Sequence, residues 1–274
     1  MLKNYLQLMR FHKPIGILLL LWPTWWALWM ASNGTPDLKN SFIFTMGVII
    51  MRAAGCVIND IADRQLDRHV ARTKDRPLTT EKIKTRHAIY LFVLLCLIAF
   101  ILVLFTNPKT ILISFFAVLM AMIYPFMKRY THFPQLVLGI AFSCAIPMAF
   151  TAENHPLSLA TWILFLANIL WTVAYDTEYA MIDRNDDLKI GIKSTAILFG
   201  KYDRMIIGLL QGAFILVMSL IGFLNQFSIF YFAGLLVAMG LFFYQQRLMP
   251  MRCLDAFLNN QWVGLVVFMG VVLR

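Results

Sequence analysis

A chain of 274 residues that is 60% hydrophobic and only 14% charged departs from a soluble domain, where roughly 45–50% apolar and about 25% charged is usual. With a mean hydropathy of +0.72, the composition excludes disorder, collagen and an ordinary soluble enzyme, and the useful unit becomes the membrane span of about 20 apolar residues. The net charge of +10 comes from bases gathered in a few short loops, a pattern that argues against a nucleic-acid partner.

Nine apolar runs follow one another: Ile15–Ala31, Ser41–Asn59, His87–Thr106, Thr110–Met127, Phe133–Thr151, Ser158–Tyr175, Met205–Asn225, Phe227–Gln246 and Cys253–Leu273. The first is too long for a secretory signal and lacks a small-residue cleavage site, so it reads as a retained helix. The short arm before it lacks the Ser- and Arg-rich amphipathic character of a transit peptide. Cys56, Cys96 and Cys144 lie inside apolar runs and Cys253 beside one, as small buried residues rather than a disulfide framework. The five histidines show no metal spacing. Pro14, Pro125 and Pro147 fit helix ends and kinks.

Bases mark the cytoplasmic side of a membrane protein. Twenty of the 24 Lys and Arg fall in the arm before the first span and in the loops after spans two, four, six and eight. Lys39, Lys109 and Arg274 are left for the other side, and Arg52 lies within span two. The amino terminus is therefore expected inside and the carboxyl terminus outside, with an odd number of spans.

Eleven of the 14 acids cluster in two cytoplasmic regions. The first begins where span two ends, and steps of four turn a helix about 40° past a full circle. Asn59, Asp63 and Asp67 then share one helical stripe, flanked by Asp60. The second begins where span six ends, and Asp176, Asp183 and Asp187 fall on one stripe bordered by Asp186. Stacked carboxylates repel, so a cation is the natural occupant. Oxygen-only ligands with open positions suit Mg²⁺ and the phosphate oxygens it carries. Bases follow each stripe: Arg72, Lys74 and Arg76 after the first, Lys189, Lys193 and Lys201 after the second. Arg52, seven residues before Asn59, sits on the first stripe and is costly in a membrane unless it faces a cavity or a partner. A metal-bound diphosphate fits this mixture best; an ion-coupled transport site and plain solvated loops are the alternatives. The four-span interval between the stripes suggests two four-helix halves facing across a central cavity open to the cytoplasmic side, with a ninth helix left over: an all-α polytopic membrane protein.

The run NDIADRQLDRHVARTKDRPL (59–78) resembles the NDxxDxxxD motif of the UbiA superfamily of intramembrane prenyltransferases. YDTEYAMIDRNDDLKIGIKSTAILFG (175–200) resembles their second aspartate-rich motif, in the form used by the branch that prenylates 4-hydroxybenzoate on the way to ubiquinone. MRFHKPIGILLLLWPTWWALW (9–29) and YPFMKRYTHFPQLVLG (124–139) are supporting matches. His12 stands where close relatives would carry a small acidic residue, and the last 70 residues or so add little.

The resemblance implies a single transmembrane domain over 1–274, with the acidic motifs at 59–67 and 176–187. It implies a bundle of nine helices and transfer of a polyprenyl group from its diphosphate to the ring carbon ortho to the hydroxyl of 4-hydroxybenzoate. Asn59, Asp60, Asp63, Asp67, Asp176, Asp183 and Asp187 would hold Mg²⁺ and the diphosphate, with Asp63, Asp183 and Asp187 central to catalysis. Arg52, Arg72 and Lys193 are candidate substrate-binding bases. Arg10 and Arg129, at span ends beside matched motifs, are candidates for the acceptor's carboxylate, with Lys128 next; positive-inside anchoring is the plainer role for either arginine. Water would trap the allylic cation, so the loops 60–86 and 183–203 are expected to cover the mouth. The polyprenyl tail would leave sideways into membrane lipid. Trp22, Trp25, Trp26 and Trp29 would line that route or, more simply, pack and belt the interface. The expected location is a bacterial inner membrane. A naphthoate or haem acceptor fits the second motif less well. A transporter would place its acids near the midplane, and the D-x-x-D-G-x-x-A-R motif of phosphatidyl transferases is absent.

Overall fold

The computed structural model describes residues 2–274, and among them the chain is all helix and turn. The helices are α1 (Leu2–Leu8), α2 (Ile15–Ala31), α3 (Leu38–Asp63), α4 (Thr85–Val103), α5 (Pro108–Met127), α6 (Pro134–Ser143), α7 (Ala145–Ala152), α8 (Leu159–Lys189), α9 (Thr195–Phe199), α10 (Asp203–Leu224), α11 (Ile229–Leu248) and α12 (Cys253–Val272). Eight helical segments, with α6 and α7 counted as one, are long and apolar enough to cross a membrane; α2 is apolar but has only 17 residues.

Helix starts follow local chemistry. Asp37 accepts from the Lys39 N–H at the head of α3. Asn107 accepts from the Thr110 N–H ahead of Pro108 in α5. Ser158 and Thr161 form a reciprocal cap on α8. Each satisfies donors that a helix start leaves unpaired. The fifth apolar run is not one helix. α6 stops at Ser143, four residues before Pro147, whose ring meets that carbonyl and offers no N–H. The sixth run behaves in the opposite way: α8 continues for 31 residues to Lys189, so its acids stand on a helix rather than in a loop.

Lipid gives helices no hydrophobic reason to associate, so packing and small residues do the work. Ala27, Ala149, Ala167, Ala238 and Ala256 are completely buried. At the α11–α12 contact a Cβ on Gly234 would lie 3.0 Å from the Val266 carbonyl oxygen and 3.4 Å from Gly270 Cα. A side chain there would require the facing backbone to give by a few tenths of an ångström. The centre is aromatic: Trp26, Trp171 and Phe214 are fully buried against one another. Their indoles are satisfied, Trp26 Nε1 by the Gly264 carbonyl at 3.1 Å and Trp171 Nε1 by Asn260 Oδ1 at 2.8 Å. Trp22, Trp25 and Trp29 cluster around Phe268. All four tryptophans of the amino-terminal run pack; none lines the cavity described next.

Candidate active site

A cavity of about 1010 Å³ runs from the carboxyl-terminal ends of α3 and α8 into the helix bundle. Its polar end collects both acidic regions. Asn59 and Asp63 come from the last turn of α3, and Asp176, Tyr179, Asp183 and Asp187 from one face of α8. The first stripe is built differently from expectation. α3 ends at Asp63, and Asp67 arrives from a separate short 3₁₀ turn, Asp67–His69. Arg76 restores the grouping: its Nη1 donates to Asp67 Oδ2 at 2.7 Å and to Asp60 Oδ1 at 3.1 Å. Asp60 points away from the cavity, 1% exposed, and also accepts from Arg10 Nη2 at 2.5 Å. It is therefore an anchor behind the wall rather than a cavity ligand.

The bases fall into three groups. Arg72, Arg76 and Lys128 line the cavity and are each taken up by a carboxylate. Arg72 Nε donates to both Asp183 oxygens at 3.0 and 3.1 Å, its Nη1 donates to the Tyr179 hydroxyl, and its guanidinium lies 4.6 Å over the Tyr179 ring. Lys128 Nζ sits 2.5 Å from Asp63 Oδ2. Arg10 likewise lines the cavity while paired to Asp60. Lys13, Arg52 and Lys193 line it without an ion pair. The Lys193 Nζ donates to the Tyr130 carbonyl at 3.2 Å, and its segment is docked by the Thr195 N–H on Gln135 Oε1 at 3.0 Å. Arg52 contacts Cys56 Sγ through Nη1, and its buried Nε has no partner. Arg129 stands apart. It donates to the Ala62 carbonyl at the end of α3 and lines no part of the cavity. The orphan carbonyls of a helix terminus attract a cation, which accounts for this placement.

Burial pushes the Asp67 carboxyl above the usual carboxylate range, against the pull of Arg76. Burial also works against the charge on Arg72, yet its bond to Asp183 and the neighbouring Tyr179 hold its pKa above the ordinary arginine value. The segment between α3 and α4 thus straps the mouth: Arg72 grips α8, and the Ala71 N–H donates to Asp186 Oδ2 at 3.1 Å.

Among the described residues no three acid, imidazole or thiol groups converge as a ready metal site, because the acids lean towards bases. The donor chemistry nevertheless suits a hard divalent cation. It is all oxygen, and Asp63, on the cavity wall, keeps its Oδ1 buried without a partner.

The other end of the cavity is apolar, walled by Leu19, Phe44, Phe92 and Phe142 among others. Val93, Leu97, Phe115 and Met122 line it and are also 42–57% exposed on the outer surface. α4 packs on α3, while α5 packs on α6 and α7. The cavity therefore reaches the lipid-facing surface between α4 and α5.

The sequence marks Arg76 only as one of the bases after the first stripe, not as an individual substrate-binding candidate, and does not single out Tyr124, Tyr175 and Tyr179, which also line the polar end. Tyr179 was discoverable: it lies three residues after Asp176 and four before Asp183, hence on their face. Tyr124 carries no such signal.

The model of the family described as "UbiA prenyltransferase family" matches residues 20–256. The chain is 59% identical over 272 residues to the 4-hydroxybenzoate octaprenyltransferase of Pseudoalteromonas translucida, covering 98% of this chain and 93% of that one. It is 57% identical to the protein of that name from Marinobacter nauticus (99% and 94% covered) and 54% identical to that from Coxiella burnetii (98% and 96%). Among solved structures, a UbiA homolog from Aeropyrum pernix K1 superposes with a TM-score of 0.82 at 22% identity, covering 93% of this chain and 96% of that one. A UbiA homolog from Archaeoglobus fulgidus bound to GPP and Mg²⁺ gives 0.71 at 18% identity, with 98% and 99% covered. At these identities the likeness is one of fold.

Proposed function

The chain belongs to the UbiA prenyltransferase family, and from that premise we propose how its residues carry out the reaction. It is an integral membrane enzyme that transfers a polyprenyl group from polyprenyl diphosphate to the carbon ortho to the hydroxyl of 4-hydroxybenzoate. The products are 3-polyprenyl-4-hydroxybenzoate and diphosphate, and the step belongs to ubiquinone biosynthesis. The observation that carries the residue assignments is the single cavity joining two acid–base clusters to an apolar arm that reaches lipid.

In this reading the diphosphate lies between α3 and α8. Asn59, Asp63, Asp67, Asp176, Asp183 and Asp187 hold Mg²⁺, with Asp60 steadying Arg10 and Arg76 from behind. The binding of GPP and Mg²⁺ by the Archaeoglobus homolog supports the choice of cation. What Mg²⁺ supplies there is neutralisation of the charge that develops on the leaving group. Arg72, Arg76 and Lys128 turn from the carboxylates, and Lys193 from the Tyr130 carbonyl, to the diphosphate oxygens, where positioned cations lower the barrier to departure. The strap carrying Arg72 screens the allylic cation from water. The tail occupies the apolar arm and leaves between α4 and α5; the relatives' names make octaprenyl diphosphate the donor to test first.

The acceptor's carboxylate requires a base that is free to take it. Arg129 is outside the cavity, and Arg10 and Lys128 already hold Asp60 and Asp63. Arg52 is the cavity guanidinium without an acid, its Nε unpartnered, so we assign the carboxylate to Arg52. The ring then lies beside Tyr124, Tyr175 and Asp176. With α2 as the first span, the bundle has nine crossings, its acids face the cytoplasm of a bacterial cell and its carboxyl terminus lies outside the inner membrane. Purified protein in nanodiscs, given 4-hydroxybenzoate and octaprenyl diphosphate, should form the 3-polyprenyl product with Mg²⁺. Arg52→Ala should raise the KM for 4-hydroxybenzoate and leave that for the diphosphate. An unchanged acceptor KM would remove Arg52 from the assignment.

A further inference from the structure

Gly16 opens α2 on the wall of the cavity opposite Arg52. Its place is defined by what a side chain there would meet. A Cβ on Gly16 would lie 2.6 Å from Arg52 Cζ and closer still to Nε and Nη2. No real side chain survives such a contact, so the Arg52 guanidinium would have to move. Its other edge is closed by Cys56, one turn further along α3, which Nη1 touches. The guanidinium is thus slotted between the bare backbone of α2 and a thiol on its own helix, with Nε buried and unpartnered. A guanidinium reads a planar carboxylate through a fork of fixed geometry, and displacing that fork by an ångström or two breaks the pairing.

We propose that Gly16 is a positioning residue for the acceptor: its missing side chain makes the slot that aims Arg52 at the carboxylate of 4-hydroxybenzoate. The inference rests on the assignment of that carboxylate to Arg52. Positioning is separable from folding at this residue. The atoms that would clash belong to the far end of a flexible side chain, so Arg52 yields rather than the backbone. Gly16 stands in the first turn of α2 with no left-handed φ to exclude a side chain, so Gly16→Ala leaves α2 intact.

The test is steady-state kinetics of Gly16→Ala, Arg52→Ala and the double variant in nanodiscs, with thermal unfolding followed in parallel. Gly16→Ala should raise the KM for 4-hydroxybenzoate about 10-fold, the loss of one charge-assisted bond. The KM for octaprenyl diphosphate should stay within about twofold, and the unfolding temperature should not fall. Adding Gly16→Ala to Arg52→Ala should have no further effect, since the group it displaces is already gone. Inhibition by 4-hydroxybenzamide, which has the shape without the charge, should be equal in wild type and Gly16→Ala. Additive effects of the two substitutions, or a rise in both KM values, would overturn the slot. If Arg52→Ala raises the acceptor KM while Gly16→Ala does not, the slot fails and the Arg52 assignment stands. If neither does, both fall.

Discussion

Replacing Lys128 by Met should tighten the free enzyme's hold on a divalent cation and weaken the help that pyrophosphate gives to that hold. Lys128 Nζ lies 2.5 Å from Asp63 Oδ2, with the two side chains 21% and 3% exposed. A charge-assisted bond of this kind contributes about 1.5–3 kcal/mol. A cation approaching Asp63 alone must displace the ammonium and leave it without an anion. When pyrophosphate is present the ammonium has a second anion to bind, and the penalty disappears. At about 1.4 kcal/mol per decade, this one pair makes metal and pyrophosphate mutually dependent by roughly 10- to 150-fold, and reciprocity requires the same factor in both directions. Arg72 on Asp183 adds a second contribution of the same sign. Mn²⁺ binding to protein in nanodiscs, read by electron paramagnetic resonance at known free metal with and without pyrophosphate, measures the factor without turnover. Lys128→Met should bind Mn²⁺ at least ~10-fold more tightly without pyrophosphate, and its pyrophosphate enhancement should shrink by the same factor. A wild type that binds Mn²⁺ equally well with and without pyrophosphate would refute the exchange of partners. No Mn²⁺ binding under either condition would refute the metal site itself.

The other expectations are simpler. Asp183→Asn and Asp63→Asn should each lower kcat at least ~100-fold, the scale of losing one charge-stabilising group; EDTA should abolish activity and Mg²⁺ restore it in a product assay. Arg129→Ala should leave both KM values within about twofold and lower thermal stability by a cap-sized ~1 kcal/mol, since it serves the Ala62 carbonyl outside the cavity; a selective loss of acceptor affinity would return Arg129 to the site. A reporter fused after Lys74 or Lys193 should read cytoplasmic and one after Arg274 external; a cytoplasmic carboxyl terminus would change the span count by one. Cysteines at Leu97 and Phe115 cross-linked across the α4–α5 opening should stop turnover with a polyprenyl donor, and continued turnover would place the tail elsewhere.

What the sequence could and could not convey follows from the range of each signal. Apolar run length is local, and the helices sit where the runs do, within a few residues. The exceptions have local causes read too coarsely. Pro147 splits the fifth run, and the polar turns after Tyr175 continue α8 because helix periodicity persists through Asp187 even where hydropathy drops. Asp176, Asp183 and Asp187 share one face of α8, as spacing alone predicts. The first stripe fails after Asp63, where the chain leaves the helix; a four-residue step carries angular meaning only while the helix lasts.

Pairings across the bundle are another matter. That Arg72 would reach Asp183 over 111 residues, or that Arg129 would turn to a helix terminus while Lys128 beside it faces the cavity, depends on how α5 is rotated against α3. No local pattern contains that angle. The tryptophan run makes the same point in reverse. Trp22, Trp25, Trp26 and Trp29 look suited to an isoprenoid, yet they fill the contacts of α2 with α8, α10 and α12. The apolar arm is walled instead by ordinary Leu, Val, Phe and Met of α3, α4 and α5, residues that carry no mark because every membrane helix has them. In this bundle the chemistry at the polar end is therefore legible residue by residue, whereas the route of the tail is a property of the gap between two helices that meet only sparsely, as at Phe100 on Phe115.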